Sequence, residues 1–119
     1  MARNTVLTQR QREQMMAFPD PDDARLIARC YLFSEQDIQI IQRQGSSSHQ
    51  FAFALHLCVL RYPGRIWQID EQLPKYLVHL VSEQLALPVS VSEDYRHDYG
   101  VRRSQLYRLR QQFGFRLFD

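Results

Sequence analysis

The chain has 119 residues, 45% of them hydrophobic and 24% charged, with a formal net charge of +2. That is the length of one ordinary domain with enough apolar material for a real core, and it excludes a disordered tail. The charge is unevenly spread. Residues 1–12 carry Arg3, Arg10 and Arg12 and no acid, residues 13–94 hold eleven acids against six bases, and residues 95–119 hold six arginines against Asp98 and Asp119. Positive ends around an acidic middle suggest a basic patch on one face if the termini come together. All basic residues but Lys75 are arginine. Arginine forks onto phosphate or guanine in a way lysine cannot, although a GC-rich genome produces the same bias without selection on chemistry.

In chain order, Thr8 and Gln11 predict a capping box for a helix over about 9–17. Pro19-Asp20-Pro21 stops it, and Asp20 as N-cap with Pro21 at the first helical position predicts a second helix over about 21–31. Ser34 caps a third, with Asp37 at its third position, ending near Gln44 before the loop Gly45-Ser46-Ser47-Ser48. A fourth, about His49 to Arg61, is apolar almost all round and belongs at the centre of the domain. Tyr62-Pro63-Gly64 breaks it, and Arg65 to Gln72 reads as irregular. Pro74 opens a fifth helix through about Ala86, and Pro88 ends it. Val89-Ser90-Val91 alternates like a strand but is too short to count as a sheet, and Ser92 caps a short turn or helix through Tyr95. A basic helix closes the chain. The expected class is all-α: a compact bundle of five to seven short helices with a helix-turn-helix-like C-terminal unit.

That closing stretch is the most informative. Tyr99 and Gly100 read as a tight turn feeding an amphipathic helix, with Gly114 capping its far end. Leu106, Leu109 and Phe113 form its apolar stripe. Arg103, Tyr107 and Arg110 flank one side, and Gln105, Arg108 and Gln112 the other. Arginine, glutamine and tyrosine around a packed stripe suit contact with phosphates and base edges. A second helix-turn-helix candidate, Ala24 to Arg43, has Ala28 in the small position and Ile38 in the packing position. It opens its second helix with Glu35 and Asp37, which repel phosphate, so core packing explains it better.

Enzymatic motifs are not found. His49 and His56 lack a carboxylate or cysteine at metal-ligand spacing, and Asp20, Asp22 and Asp23 are explained by their place at a helix start. No phosphate loop, HExxH or nucleophile elbow is present. No catalytic residue, metal, cofactor or small-molecule ligand is expected. Cys30 and Cys58 lack CxxC spacing and read as buried free thiols, with a disulfide the lesser alternative. Phe51 to Leu60 is far shorter than the roughly 20 residues that span a bilayer, and no signal peptide precedes the first helix. A soluble cytoplasmic protein without a membrane partner is expected.

Several segments carry a resemblance when taken in order: Leu7-Thr8, Tyr31-Leu32-Phe33-Ser34 with Asp37-Ile38, Phe51 to Leu55, and Leu57 to Arg65. After them come Pro74 with Tyr76-Leu77, Gln84-Leu85, Tyr95, and Arg102 through Gly114 to Phe118. The run Leu60-Arg61-Tyr62-Pro63-Gly64-Arg65 is the most specific part. Over nearly its whole length the chain resembles the N-terminal region of class II (Tn-three-type) replicative transposases. The resemblance implies recognition of terminal inverted repeats here, with the acidic metal-binding catalytic residues in a distant ribonuclease-H-like domain. The chain would then be a non-catalytic N-terminal fragment, with double-stranded DNA and the remainder of the transposase as partners. Val101 departs from a common threonine, and Ser104 and Gln105 fall where the family often has histidine or a larger residue.

On this reading residues 1–88 form a helical DNA-binding subdomain around the central helix 49–61, and residues 89–119 begin a second. Arg102 and Arg103 lie in the first turn of the last helix, where exposed N–H groups favour phosphate. Arg103, Gln105 and Arg108 are expected at base edges, and Tyr107, Arg110 and Arg116 at phosphates. Arg3, Arg10 and Arg12 reach flanking backbone or minor groove. Arg61 and Arg65 are open between phosphate contact and pairing with acids such as Asp70 or Glu71. The alternative from another class is a protein-interaction or regulatory module, acting as an inhibitor by mixed assembly. A homodimer is left open.

Overall fold

The computed structural model describes residues 18–68, 71–93 and 99–114, of which Glu93, Tyr99 and Gly100 are described in backbone only. The helix expected over 9–17, with Arg3, Arg10, Arg12 and Arg116, lies outside the described residues. Within them the chain forms six helices and no strand: α1 (Ala24–Tyr31), α2 (Glu35–Gln42), α3 (Ser47–Arg61), α4 (Lys75–Leu85), α5 (Ser90–Glu93) and α6 (Tyr99–Phe113). The all-α expectation holds. Val89 is a turn residue and Ser90 and Val91 open α5, so the segment is not extended.

Each start has a local cause. α1 begins three residues later than expected because Asp20 is used otherwise. Its Oδ1 accepts from Asp22 N–H at 2.9 Å in a turn, and Asp23 caps the helix through Leu26 N–H at 3.2 Å. α2 has the full reciprocal box, Ser34 Oγ accepting from Asp37 N–H and Asp37 Oδ2 from Ser34 N–H. α3 is capped by Ser46, so it starts ahead of His49. α4 ends at Ala86 in the left-handed region (φ 55), with Ala86 N–H returning to Glu83 O and Leu87 N–H to Ser82 O.

α3 is the axis. Every residue from Phe51 to Leu60 is buried, and all five other helices pack against it. A helix covered on every side must be apolar on every side, which is the pattern its sequence shows. Tyr31, Ile41, Leu77, Val81 and Leu109 bring one or two side chains each from α1, α2, α4 and α6 into the same core. Polar ties fix the outer layers. Gln84 on α4 accepts from Phe33 N–H at 2.8 Å and donates to Tyr31 O at 2.9 Å, clamping the α1–α2 link. Tyr31 Oη donates to Tyr62 O at 2.8 Å, tying α1 to the turn after α3. Leu109 places α6 in this shared core.

Candidate nucleic-acid interface

α6 starts at Tyr99, so Gly100 stands inside its first turn and not in a preceding turn. Arg103 accordingly moves into the second turn. The first N–H groups of a helix have no partner in any case, so glycine costs less there than deeper in. Gly114 ends the helix with φ 75, as expected from its position.

The buried side of α6 is rotated from the expected stripe. Leu109 is fully buried, Val101, Leu106 and Phe113 pack partly against the core, and Gln105 is only 3% exposed. Gln105 is therefore a strut and not a base-edge group, because its Nε2 donates to His49 O at 2.9 Å. The amide anchors α6 to the first turn of α3. Arg102 is half-buried and takes part in an interaction within the protein. Outward stand Arg103, Ser104, Tyr107, Arg108, Arg110 and Gln111. Tyr107 is 57% exposed, and its hydroxyl oxygen accepts from Gln111 Nε2 at 2.8 Å. No Asp or Glu occurs in α6, and among the described residues no ion pair engages Arg103, Arg108 or Arg110.

Arg61 and Arg65 are used differently. Arg61 forks onto both oxygens of Asp37 at 3.0 Å each and lies 5.5 Å from the Phe113 ring centroid, joining α2, α3 and the end of α6. Burial alone would raise the Asp37 carboxyl, but Arg61 and the Ser34 N–H outweigh it and hold it below the ordinary value. Arg65 forks onto Glu71 at 2.6 and 2.5 Å, and Trp67 Nε1 donates to Glu71 O at 2.9 Å. Of the two readings left open for these arginines, the geometry selects pairing with acids. Glu71 was among the acids expected; Asp37 was not, because nothing local in the sequence joins positions 37 and 61.

Sequence reasoning placed the turn between α2 and α3 but missed its contact with α6. Gln44 is 7% exposed; its Nε2 donates to Ile40 O at 2.9 Å, which turns its Oε1 outward to accept from Arg108 Nη1 at 3.2 Å. Beside this contact lies an open cleft of about 280 Å³ lined by Gln44, His49, Val101, Ser104, Gln105 and Arg108. Gly45 turns the chain at φ 89, and Gln50 Nε2 donates to Gly45 O at 2.9 Å to brace the bend. One signal was legible: no Asp or Glu stands between Asp37 and Asp70.

Among the described residues, no group of three or more His, Cys, Asp or Glu could hold a metal ion, and no helix is long and apolar enough to cross a membrane. Cys30 and Cys58 are buried thiols, and burial pushes Cys58 far above its ordinary range. A family profile described as a domain of unknown function, DUF4158, matches residues 6–119. The chain belongs to this family. The DUF4158 chain is 34% identical over 118 residues to the transposase for transposon Tn3926 and, equally, to that for transposon Tn21, both from Escherichia coli. Each alignment covers 99% of the chain and 12% of the relative. The transposase for transposon Tn1546 from Enterococcus faecium is 26% identical over 113 residues, covering 95% of the chain and 11% of that protein. The resemblance to replicative transposases is thus shown for nearly the whole DUF4158 chain, which spans about 12% of the length of the first relatives it matches.

Proposed function

We propose that this chain binds double-stranded DNA at the terminal inverted repeats of a transposon as part of a replicative transposase, and that strand cleavage and transfer belong to parts of the transposase outside it. The observation that carries the reading is the outward face of α6, where Arg103, Arg108 and Arg110 stand exposed on a helix with no carboxylate. Arginines on an acid-free face attract phosphate, and a guanidinium reaching into the major groove can fork onto guanine. Arg103 takes the base-edge role; Tyr107, Arg110 and Arg116 set register on phosphates; Arg3, Arg10 and Arg12 reach flanking backbone.

The division at residue 88 is a division of recognition, with 89–119 supplying the groove-facing unit. Such a protein works in the cytoplasm, at the nucleoid. Transposases relating to this chain support the DNA partner and a continuation of the chain as the second partner. A protein-docking module is less favoured, because among the described residues Leu32 and Tyr107 are the large hydrophobic side chains left exposed, too little for an apolar interface. Gel-shift competition between an inverted-repeat duplex and a scrambled duplex tests the reading. Preferential loss of the complex to unlabelled inverted repeat is expected, and equal competition by both duplexes contradicts it.

A further inference from the structure

Arg108 differs from Arg61 and Arg65 in what orients it. Those two meet carboxylates, so their charge is spent inside the protein. Arg108 is held at 3.2 Å by the Oε1 of Gln44, a neutral amide whose own N–H group is committed to Ile40 O at 2.9 Å. Gln44 is 7% exposed, so this acceptor is built into the fold and not a chance surface neighbour. The outcome is a guanidinium with a fixed direction and an uncompensated positive charge, which is the arrangement an anion requires. It borders a cleft of about 280 Å³ whose lining adds the Ser104 hydroxyl and His49, both able to donate. Exposed Arg43 stands next to Gln44 on the same turn, and no acid occurs on α6 or between Asp37 and Asp70 to compete for these donors.

We propose that the cleft between α6 and the α2–α3 turn seats a backbone phosphate of the bound duplex, held by Arg108 and Ser104, with Arg43 meeting the same strand from the turn. The site rests on the DNA-binding reading and deepens it. Arg108 becomes a contact to the phosphodiester and gives up the base-edge role, and the α2–α3 turn becomes a second edge of the interface. Gln105 sets the spacing of the two edges through its bond to His49 O at 2.9 Å.

The test is the salt dependence of affinity for an inverted-repeat and a scrambled duplex, measured by fluorescence anisotropy on the unaltered chain, Arg108→Gln, Arg108→Lys and Gln44→Glu. Each phosphate contact contributes about 0.9 to the slope of log affinity against log salt. Arg108→Gln is expected to lower that slope by about 0.9 on both duplexes and leave the ratio between them unchanged. Arg108→Lys should restore most of the slope. Gln44→Glu places a carboxylate against an intact Arg108 while giving up the Nε2 bond to Ile40 O, and should reproduce the loss of slope together with a lowered melting temperature. Arg43→Gln, an exposed change, should lower the slope in the same way. An unchanged slope in Arg108→Gln, or a collapse of the inverted-repeat preference in that variant, overturns the phosphate site while leaving the DNA reading intact. Failure of the unaltered chain to bind either duplex overturns the DNA reading itself and the site with it.

Discussion

Arg61 and Arg103 are both arginines on helices, yet one is built into the scaffold and the other stands exposed. Arg61 is held in a fork by Asp37 and lies against Phe113; Arg103 is exposed with no carboxylate on its helix. Arg103→Ala should therefore leave stability within about 0.5 kcal/mol while costing about 1–3 kcal/mol in affinity for the inverted repeat and relaxing sequence choice. Thermal melting and duplex competition on the same sample check both halves. Gln105→Ala should behave in the opposite sense. Losing a buried amide bonded to His49 O destabilises by about 1–3 kcal/mol, read by urea unfolding; unaltered stability would return Gln105 to the surface. Asp37 adds a pH dependence. Its folded carboxyl titrates below the ordinary value, so the stabilisation is complete above about pH 4 and disappears as pH falls through the depressed value. Melting temperature should drop on acidification through that window, and Asp37→Asn should flatten part of the drop while lowering stability near neutrality.

At the scale of elements, what the sequence revealed depended on how many residues declared each feature. The α3 axis was legible because a ten-residue run broken only by His56 is otherwise apolar and leaves one interpretation, and the Ser34 box because both partners lie within one turn. Ends with rival caps were not. Asp20, Asp22 and Asp23 each offer a carboxylate, and Ser46, Ser47 and Ser48 each a hydroxyl, so the choice rests on turn geometry that composition does not carry. The face of α6 was half legible. Its outward arginines follow from the stripe, but with so few apolar residues the stripe could rotate far enough to bury Gln105. Cross-chain partners such as Asp37 with Arg61, or Gln44 with Arg108, leave no local trace. Leu109 is the fully buried anchor of α6, so Leu109→Ala should cost about 2–5 kcal/mol and loosen α6 from α3. Faster amide exchange along α6 than along α3 would report that loosening; uniform acceleration across all helices would show that α6 has no separable docking step.

At the scale of the molecule, one apolar axis gathers the helices, and the acids and bases left outside it separate. Carboxylates gather just before α1, at the α2 start and at sequence positions 70 and 71, while α6 and the stretch from Ile38 to Ile69 carry none. In a chain of small net charge this leaves the exposed face of α6 positive, with no carboxylate on the same helix. Counterion release then predicts how such a face engages a duplex. Log affinity falls linearly with log salt, with a slope set by the number of phosphates met. A salt titration of inverted-repeat binding by the unaltered chain and by an Arg103→Gln, Arg108→Gln, Arg110→Gln triple variant measures that face directly. A steep line for the unaltered chain, shallower by about 1.8 in the triple variant (the two phosphate contacts of Arg108 and Arg110) at unchanged melting temperature, is the predicted result. Equal slopes for the two proteins would contradict the account.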